Sequence, residues 1–172
     1  MGDNIPVAAL LVGLRFQPSD AMLLGYLFSK ITNKSRLHVD QEVIKDFDLY
    51  GEKEPWEIWE LYRGDNLRSG EDLYFFTRSK KKTQNSSKMN RLIGTGTWKI
   101  TGPPEAITYS QLSAQPLGFR KRFRYKSEVA QQVSQWIMFE YSLDTDHDLV
   151  SKNDCNYVLC GLQKRDLKEE KG

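Results

Sequence analysis

The stretch Phe119-Arg120-Lys121-Arg122-Phe123-Arg124-Tyr125-Lys126 alternates with a period of two residues. Its odd-numbered positions are aromatic apart from Lys121, and its even-numbered positions are all basic. Because successive side chains of a β-strand point to opposite faces of a sheet, this pattern predicts a strand with one core-facing side and one basic side. A wholly basic side indicates that the strand faces a polyanion.

Other stretches of the C-terminal two thirds also predict strands, because they are rich in β-branched and aromatic residues and end at glycine, proline or polar residues. They are Asp72–Arg78, Thr97–Thr101, Ser134–Leu143 and Tyr157–Leu162. Gly102-Pro103-Pro104 is expected to stop the strand that precedes it. The polar and basic segment Ser79–Lys88 between two strands is expected to be a loop.

Helical patterns lie earlier in the chain. Pro18-Ser19-Asp20 followed by an apolar i, i+3, i+4 spacing predicts a capped helix, and Asp40–Asp46 is predicted to form a second short helix. Glu54–Trp59 is interpreted as a turn followed by an aromatic anchor whose tryptophans lie in the core. Early helices and later strands favour an α+β fold with an antiparallel sheet.

Positive charge is concentrated in one part of this 172-residue chain, which has a length suited to a single domain. Residues 78–126 contain twelve basic residues and one acidic residue, a net charge of +11, whereas the whole chain carries only +2. The flanks are acidic, at −7 for residues 40–77 and −4 for residues 127–172. Segregated positive charge is typical of nucleic-acid binding.

Several classes of protein are not supported by the sequence. Cys155 and Cys160 are expected to be reduced in an intracellular protein, and with His38 and His147 they match no zinc-finger spacing. No apolar run approaches the ~20 residues that span a bilayer. No nucleophile–base pair or phosphate loop is present, so we predict no enzyme activity, no cofactor and no metal.

The basic region contains the run Asn90-Arg91-Leu92-Ile93-Gly94-Thr95-Gly96-Thr97-Trp98-Lys99-Ile100-Thr101-Gly102. In its strand, Trp98 and Ile100 share one face, while Lys99 and two threonines share the other. Trp98 is expected to pack in the core, and Lys99 can meet a phosphate or a guanine edge. The flanking glycines remove bulk and let a backbone approach a groove closely. The major groove admits a β-ribbon as well as a helix.

Six blocks of the sequence, in this order, resemble the NAC domain of plant transcription factors, and together they cover roughly residues 10 to 165. They are Gly13–Asp20 with Tyr26-Leu27, Asp48-Leu49-Tyr50 with Glu54-Pro55-Trp56, Leu73–Phe76, Asn90–Gly102, Trp136–Leu143 and Tyr157–Cys160.

The resemblance implies a twisted antiparallel β-sheet flanked by a few short helices, with a NAC-type DNA-binding domain at residues 8–165 and a short charged tail at 166–172. It implies sequence-specific binding of double-stranded DNA and regulation of transcription in the nucleus. The edge Trp98–Gly102 would enter the major groove. Arg91, Arg120 and Lys121 match basic positions that contact DNA in the family.

The predicted DNA-binding residues combine the alternation pattern with this resemblance. They are Arg91, Thr97, Lys99, Thr101, Arg120, Lys121, Arg122, Arg124 and Lys126, together with the loop lysines Lys80, Lys81, Lys82 and Lys88.

The resemblance also implies a homodimer, or a heterodimer with related factors, joined through the N-terminal block by an Arg–Glu salt bridge. Arg15 matches the arginine, but Ala21 and Met22 stand where the family has two glutamates. The predicted interface comprises Leu14, Arg15, Phe16 and Met22. We therefore expect a dimer weaker than those of typical members, although apolar packing can replace an ion pair that is worth little at a surface.

Two other nucleic-acid or partner functions stay open. An RNA or single-strand binder would use aromatic side chains for stacking, but here they lie opposite the basic face. A protein-interaction module, or a dominant regulator of related factors with weak or lost DNA binding, is compatible with Pro103-Pro104 at the edge, where the family has polar residues. The net charge of +11 on residues 78–126 argues against a protein that has lost DNA binding. No membrane partner is expected.

Overall fold

The computed structural model describes residues 16–32, 43–68, 70–79, 90–108, 116–130, 134–144 and 157–166. Within them the helices are α1 (Asp20–Thr32) and α2 (Pro55–Leu61), followed by a 3₁₀ turn at Gly64–Asn66. The strands are β1 (Ile44–Asp46), β2 (Leu73–Arg78), β3 (Leu92–Ile93), β4 (Gly96–Ile100), β5 (Glu105–Ile107), β6 (Gly118–Lys126), β7 (Ser134–Leu143) and β8 (Tyr157–Asp166).

All of these strands form one sheet in the order β1-β2-β8-β7-β6-β4-β3, with β5 also paired to β6. Neighbouring strands are antiparallel except β1 and β2, which are parallel. The predicted α+β fold, a mainly antiparallel sheet flanked by short helices, is confirmed.

The strand β4 is interrupted and then resumed along the same partner. It ends at Ile100, where the diproline segment follows a Gly102 with φ of +82°. The chain then pairs with β6 again as β5. Because proline cannot donate a ladder hydrogen bond, the predicted stop after Thr101 has a direct physical cause.

The two helices lie on opposite faces of the sheet, and each covers its own core. Leu23, Leu24 and Leu27 of α1 pack in one cluster with side chains of β2, β7 and β8. Ile58 and Trp59 of α2 pack in the other, which includes Trp98 and two aromatic residues of β6, Phe123 and Tyr125. Trp98 is 3% exposed, so its predicted core position is confirmed.

Two local predictions were wrong. Ile44–Asp46 is not helical but forms β1, because its backbone pairs with Tyr74–Phe76, far away in sequence. Residues 40–42 of that predicted helix lie outside the described residues. Glu54–Trp59 is not only a turn, because the helix α2 begins at Pro55. The start of this helix is capped by the Glu57 carboxylate, which accepts a hydrogen bond from the Glu54 backbone N–H at 3.1 Å.

Candidate nucleic-acid interface

The β3–β4 hairpin carries the candidate interface and is fixed to the segment that precedes α2. The Gly94 N–H donates to the Gly51 carbonyl at 2.9 Å. On the next strand, the Trp98 indole N–H donates to the Leu49 carbonyl at 3.1 Å. These two bonds join the Asp48–Trp56 region to the Asn90–Gly102 run, so two blocks that are distant in sequence form one structural unit.

The buried Glu54 carboxylate holds the turn of this hairpin. It accepts hydrogen bonds from the Thr95 backbone N–H at 2.6 Å, from the Thr95 hydroxyl at 2.5 Å and from the Tyr125 hydroxyl. Burial, and secondarily the bond to Glu54, raises the pKa of Tyr125. Gly94 has φ of +53°, and a Cβ there would lie 2.3 Å from the Glu54 carboxyl carbon. A glycine is therefore required at that turn.

The glycines of the hairpin do not all serve the same purpose. A Cβ on Gly96 would lie 2.4 Å from the Lys126 carbonyl oxygen, so its small size also allows close packing within the domain. A Cβ on Gly102 would meet nothing within 4 Å. Of these glycines, only Gly102 borders open space, at the end of β4.

The outer side of β4 is only partly covered. β3 pairs with Gly96 and Thr97, and the Trp98 N–H still donates to the Arg91 carbonyl at 2.9 Å. Beyond that bond, no strand of the described ranges pairs with the outer side of β4. Lys99 and Ile100 therefore form a free edge of the sheet.

One face of this edge is basic. In the β4–β6 register Lys99 lies opposite Arg124 and Thr97 lies opposite Lys126. The Arg122 guanidinium donates to the Thr101 hydroxyl at 2.9 Å. We call Lys99, Arg122, Arg124 and Lys126 the basic edge; within the described part of the chain, none has a carboxylate within 4 Å.

Two open grooves meet at Lys99. The first has a volume of about 660 Å³ and runs along β4, β6 and the segment after β6. The second, of about 570 Å³, runs past the end of β3 and along the face of β4 that also packs against α2. Both are lined by Leu92, Thr97 and Lys99. The free edge is therefore a ridge with a groove on each side, and polar and charged groups line both.

Arg91 lies in an internal ion pair. Its Nη2 is 3.2 Å from the Glu140 carboxylate, and its guanidinium lies 4.7 Å from the centre of the Phe123 ring. Glu140 is 4% exposed and also accepts a hydrogen bond from the Tyr50 hydroxyl. Arg91 still lines the second groove. It therefore lies beside the candidate interface, but its charge is compensated within the domain.

Arg120 is likewise ion-paired inside the domain. Its guanidinium lies 3.3 Å from the Asp20 carboxylate at the start of α1 and contacts Glu105 of β5. The Tyr141 hydroxyl donates to the same Asp20 carboxylate at 3.0 Å. Arg120 thus connects α1, β5 and β7, and it differs in this from the other even-numbered residues of β6.

Lys121 points to the opposite face from the basic edge. It lies across from Glu140 in the β6–β7 register and lines the second groove. The loop lysines Lys80, Lys81, Lys82 and Lys88, and the dimer residues Leu14 and Arg15, lie outside the described residues. Their predicted roles stay predictions.

The two predicted dimer residues that the structure describes differ in environment. Phe16 packs edge-on against Tyr74, with ring centres 5.7 Å apart. Met22 is 49% exposed on α1. An exposed methionine is available for apolar contact with a partner, whereas Phe16 already has intramolecular partners.

Cys160 is completely buried. Burial, with a further contribution from Glu140, raises the pKa of its thiol. Cys155 lies outside the described residues. Among those described, no group of three or more His, Cys, Asp or Glu side chains could hold a metal ion.

Sequence reasoning missed three parts of this site. The first is the segment after β6, which forms a wall of the first groove. In this segment the Ser127 hydroxyl accepts hydrogen bonds from the backbone N–H groups of Val129 and Ala130 at 3.2 and 3.1 Å. The second is the anchoring Glu54. The third is the exposure of Leu92 and Ile100. The only local signal for the first part was Ser127 itself, and a single serine is a weak turn signal.

Within the described ranges, neither helix is long and apolar enough to cross a lipid bilayer. The uncompensated cations on this open ridge suit phosphate oxygens and base edges.

Comparison with known proteins gives consistent results. The family described as "No apical meristem (NAM) protein" matches residues 11–143. NAC domain-containing protein 7 of Arabidopsis thaliana is 37% identical over 158 residues, covering 90% of this chain and 38% of that protein. NAC domain-containing protein 101 is 37% identical over 157 residues and Protein SOMBRERO 32% over 157 residues, both from the same plant.

These relatives are longer than the chain, which covers 43% of NAC domain-containing protein 101 and 40% of Protein SOMBRERO. The chain therefore spans about two fifths of the length of the curated relatives it matches. The matched region includes the α1 segment, the β3–β4 hairpin and β6, the elements that form the candidate interface. The chain belongs to the NAM family, the family of plant NAC domains.

Proposed function

We propose that this domain binds double-stranded DNA with the free edge of β4 and thereby regulates transcription in the nucleus. The observation that carries the proposal is the basic edge, four cations on one face of two adjacent strands, without carboxylate partners in the described part of the chain. Uncompensated cations attract the phosphate backbone and release its counterions. Family membership supports the same function.

The shape of the site favours duplex DNA over other nucleic acids. A ridge between two grooves is the form that a β-ribbon presents to the B-DNA major groove, which is about 12 Å wide. Lys99 lies on that ridge and would reach a base edge or a phosphate. Arg122, Arg124 and Lys126 lie behind it and would contact phosphates. Phe123 and Tyr125 of β6 are each 2% exposed, so neither can act as a stacking platform of the kind that single strands use.

The other predicted DNA-binding residues are expected to contribute to binding in different ways. Thr97 and Thr101 lie on the same face as Lys99, and their hydroxyls donate to the Arg91 and Arg122 carbonyls at 3.1 and 3.3 Å. To contact a phosphate oxygen, each hydroxyl would have to exchange that internal bond for the phosphate. Lys121 would approach DNA from the second groove. Arg91 and Arg120 add to the positive field, but we expect them mainly to hold the scaffold, because each already has an acidic partner. The four loop lysines would add phosphate contacts.

We also propose that the domain acts as a homodimer or pairs with related factors through its N-terminal block. Met22 would contribute an apolar contact in place of the missing ion pair. Association weaker than in typical members is expected, because the acidic partner of Arg15 is absent from positions 21 and 22.

The test is a titration of fluorescent random-sequence duplex DNA with the protein at several salt concentrations, beside single-stranded DNA and RNA of equal length. We expect preference for the duplex and an affinity that falls steeply with salt. Weak binding to all three would overturn the proposal and favour the alternative, a protein-interaction module or a regulator that has lost DNA binding. Equal binding to all three would contradict recognition of a duplex groove.

A further inference from the structure

Exposed apolar side chains gather around the basic edge. The described residues expose five large hydrophobic side chains, and three of them border the grooves that meet at Lys99. These are Leu92 (59% exposed), Ile100 (53%) and Val129 (78%). The other two lie on the helices. An aliphatic cluster within a cationic surface needs an explanation beyond phosphate binding, because phosphates offer it no contact.

The two aliphatic residues nearest Lys99 lie on opposite faces of the edge. Leu92 lies opposite Thr97 in the β3–β4 register, and so shares the face of Thr97 and Lys99. Ile100 follows Lys99 on β4 and points to the other face, where it lines the second groove. A chain that enters a groove edge-first would therefore present one aliphatic side chain on each face of the edge, with Leu92 on the face that also carries Lys99.

The floor of the B-DNA major groove offers only one apolar group, the C5-methyl of thymine. Neither RNA nor a phosphate surface supplies an equivalent, since uracil lacks the methyl and the A-form major groove is too narrow to enter. We propose that Leu92 and Ile100 read thymine methyl groups on the two sides of the base that Lys99 contacts. This inference rests on the proposed function, since it requires the edge to enter duplex DNA.

The experiment begins with selection of the most enriched duplex from a random-sequence pool. That duplex is then synthesised twice, once with thymine and once with deoxyuridine at the same positions, which deletes only the methyl groups. Burial of one methyl corresponds to about a fourfold change in affinity, so we expect the deoxyuridine duplex to bind about four- to fifteenfold more weakly.

The variants Leu92→Ala and Ile100→Ala locate the effect. Each should bind the thymine duplex more weakly, and each should show a smaller penalty for deoxyuridine than the unchanged protein. Leu61→Ala is the matched control, because Leu61 is 55% exposed and lines neither groove. Since all three side chains are more than half exposed, their truncation should leave the thermal unfolding midpoint nearly unchanged.

Three outcomes would overturn the inference without affecting DNA binding itself. They are equal affinity for the two duplexes, a full deoxyuridine penalty in both variants, and the absence of any enriched sequence from a pool that the protein binds. Loss of binding to random duplex DNA would instead contradict the proposed function, so the two failures are distinguishable.

Discussion

At the scale of single residues, Glu54 is the side chain on which the position of the β3–β4 hairpin most depends. It is 7% exposed and accepts three hydrogen bonds, from Thr95 and Tyr125. A buried carboxylate with several donors is costly to remove, because its partners are then left unpaired in the interior.

Glu54→Ala is therefore expected to lower the free energy of unfolding by about 1–3 kcal/mol and to weaken duplex binding. Urea unfolding and fluorescence anisotropy measure the two effects. The exposed Glu52, two residues earlier, supplies the control Glu52→Ala, which removes the same charge without a buried network. Full affinity in a folded Glu54 variant would show that the hairpin does not need this anchor.

Lys99→Ala should weaken binding of the selected duplex by about 1–3 kcal/mol if this lysine contacts a base. Lys45→Ala is the matched control, since Lys45 lies on β1 at the opposite end of the sheet. Anisotropy titrations at one fixed salt concentration compare the two. Similar affinities for both variants would move the proposed site away from the β4 edge.

The sequence predicted the strand face of Lys99 correctly, but it did not reveal the ion pairs of Arg91 and Arg120. The side of a strand on which Lys99 lies follows from local alternation, which a sequence displays directly. The partners of the two arginines do not, because Glu140 is 49 residues from Arg91 and Asp20 is 100 residues from Arg120. Such ion pairs depend on strand order, which no local pattern reveals.

At the scale of elements, β6 separates into a cationic end and a neutralised end. Its Arg122, Arg124 and Lys126 have no carboxylate partner within the described residues, whereas Arg120 has two. The same alternating pattern therefore supplies the cations of the proposed DNA contact at one end and an ion pair that connects to α1 and β5 at the other.

The triple variant Arg122→Ala, Arg124→Ala, Lys126→Ala should flatten the dependence of log affinity on log salt by about two to three units. Arg120→Ala should change it by less than one unit, since that charge is already compensated. Binding measured over a salt series distinguishes the two. An unchanged slope in the triple variant would exclude β6 from the interface.

The glycines that end the two halves of the hairpin should respond differently to alanine. Both have positive φ, a conformation that costs an L-residue roughly 1–2 kcal/mol. Gly94→Ala adds a clash with the Glu54 carboxylate, whereas Gly102→Ala meets open space. Thermal unfolding should therefore show a larger loss for Gly94→Ala, and equal losses would contradict the packing described at that turn.

The longer strands of the C-terminal part, β2, β4, β6, β7 and β8, were predictable because each has at least five residues and so shows a strand pattern. β3 and β5, of two and three residues, were not predicted. β1 was not, since Ile44–Asp46 has three residues and an apolar spacing that also fits a helix. Its strand conformation comes from parallel pairing with β2, a tertiary constraint. The anchoring of β4 by α2 was missed for the same reason, as it joins segments about 40 residues apart.

At the scale of the whole molecule, the uneven charge distribution is expected to orient the domain relative to a polyanion. The +11 region includes β4 and β6, while residues 40–77, at −7, include β1 and α2. The cations of β4 and β6 attract a polyanion to that edge of the sheet. The overall charge of +2 conceals this property.

Stability is expected to fall as the pH rises above about 9 to 10. Burial raises the pKa of Tyr50, Tyr74 and Tyr141, and of the Cys160 thiol, so the folded state holds these protons more tightly than the unfolded state. The resulting stabilisation is fully present below the unfolded pKa values, of about 8.5 for cysteine and 10 for tyrosine, and is lost as the pH rises above them.

Urea unfolding at pH values of about 7, 9 and 10.5 measures this dependence. Each such group can lower the unfolding free energy by up to about 1.4 kcal/mol per pH unit above its unfolded pKa. Tyr141→Phe, which removes one titrating hydroxyl, should show a smaller loss between the two higher values. A stability independent of pH over this range would contradict the burial of these groups.

The open side of β4 has a consequence for the protein when it is not bound to DNA. A sheet edge with unpaired backbone groups and an exposed Ile100 can also accept a strand from another molecule and so begin aggregation. Lysine and proline are the residues that discourage such pairing, and here Lys99 and Pro103-Pro104 stand at that edge. The same lysine and diproline would thus help to keep the edge soluble and available between encounters with DNA.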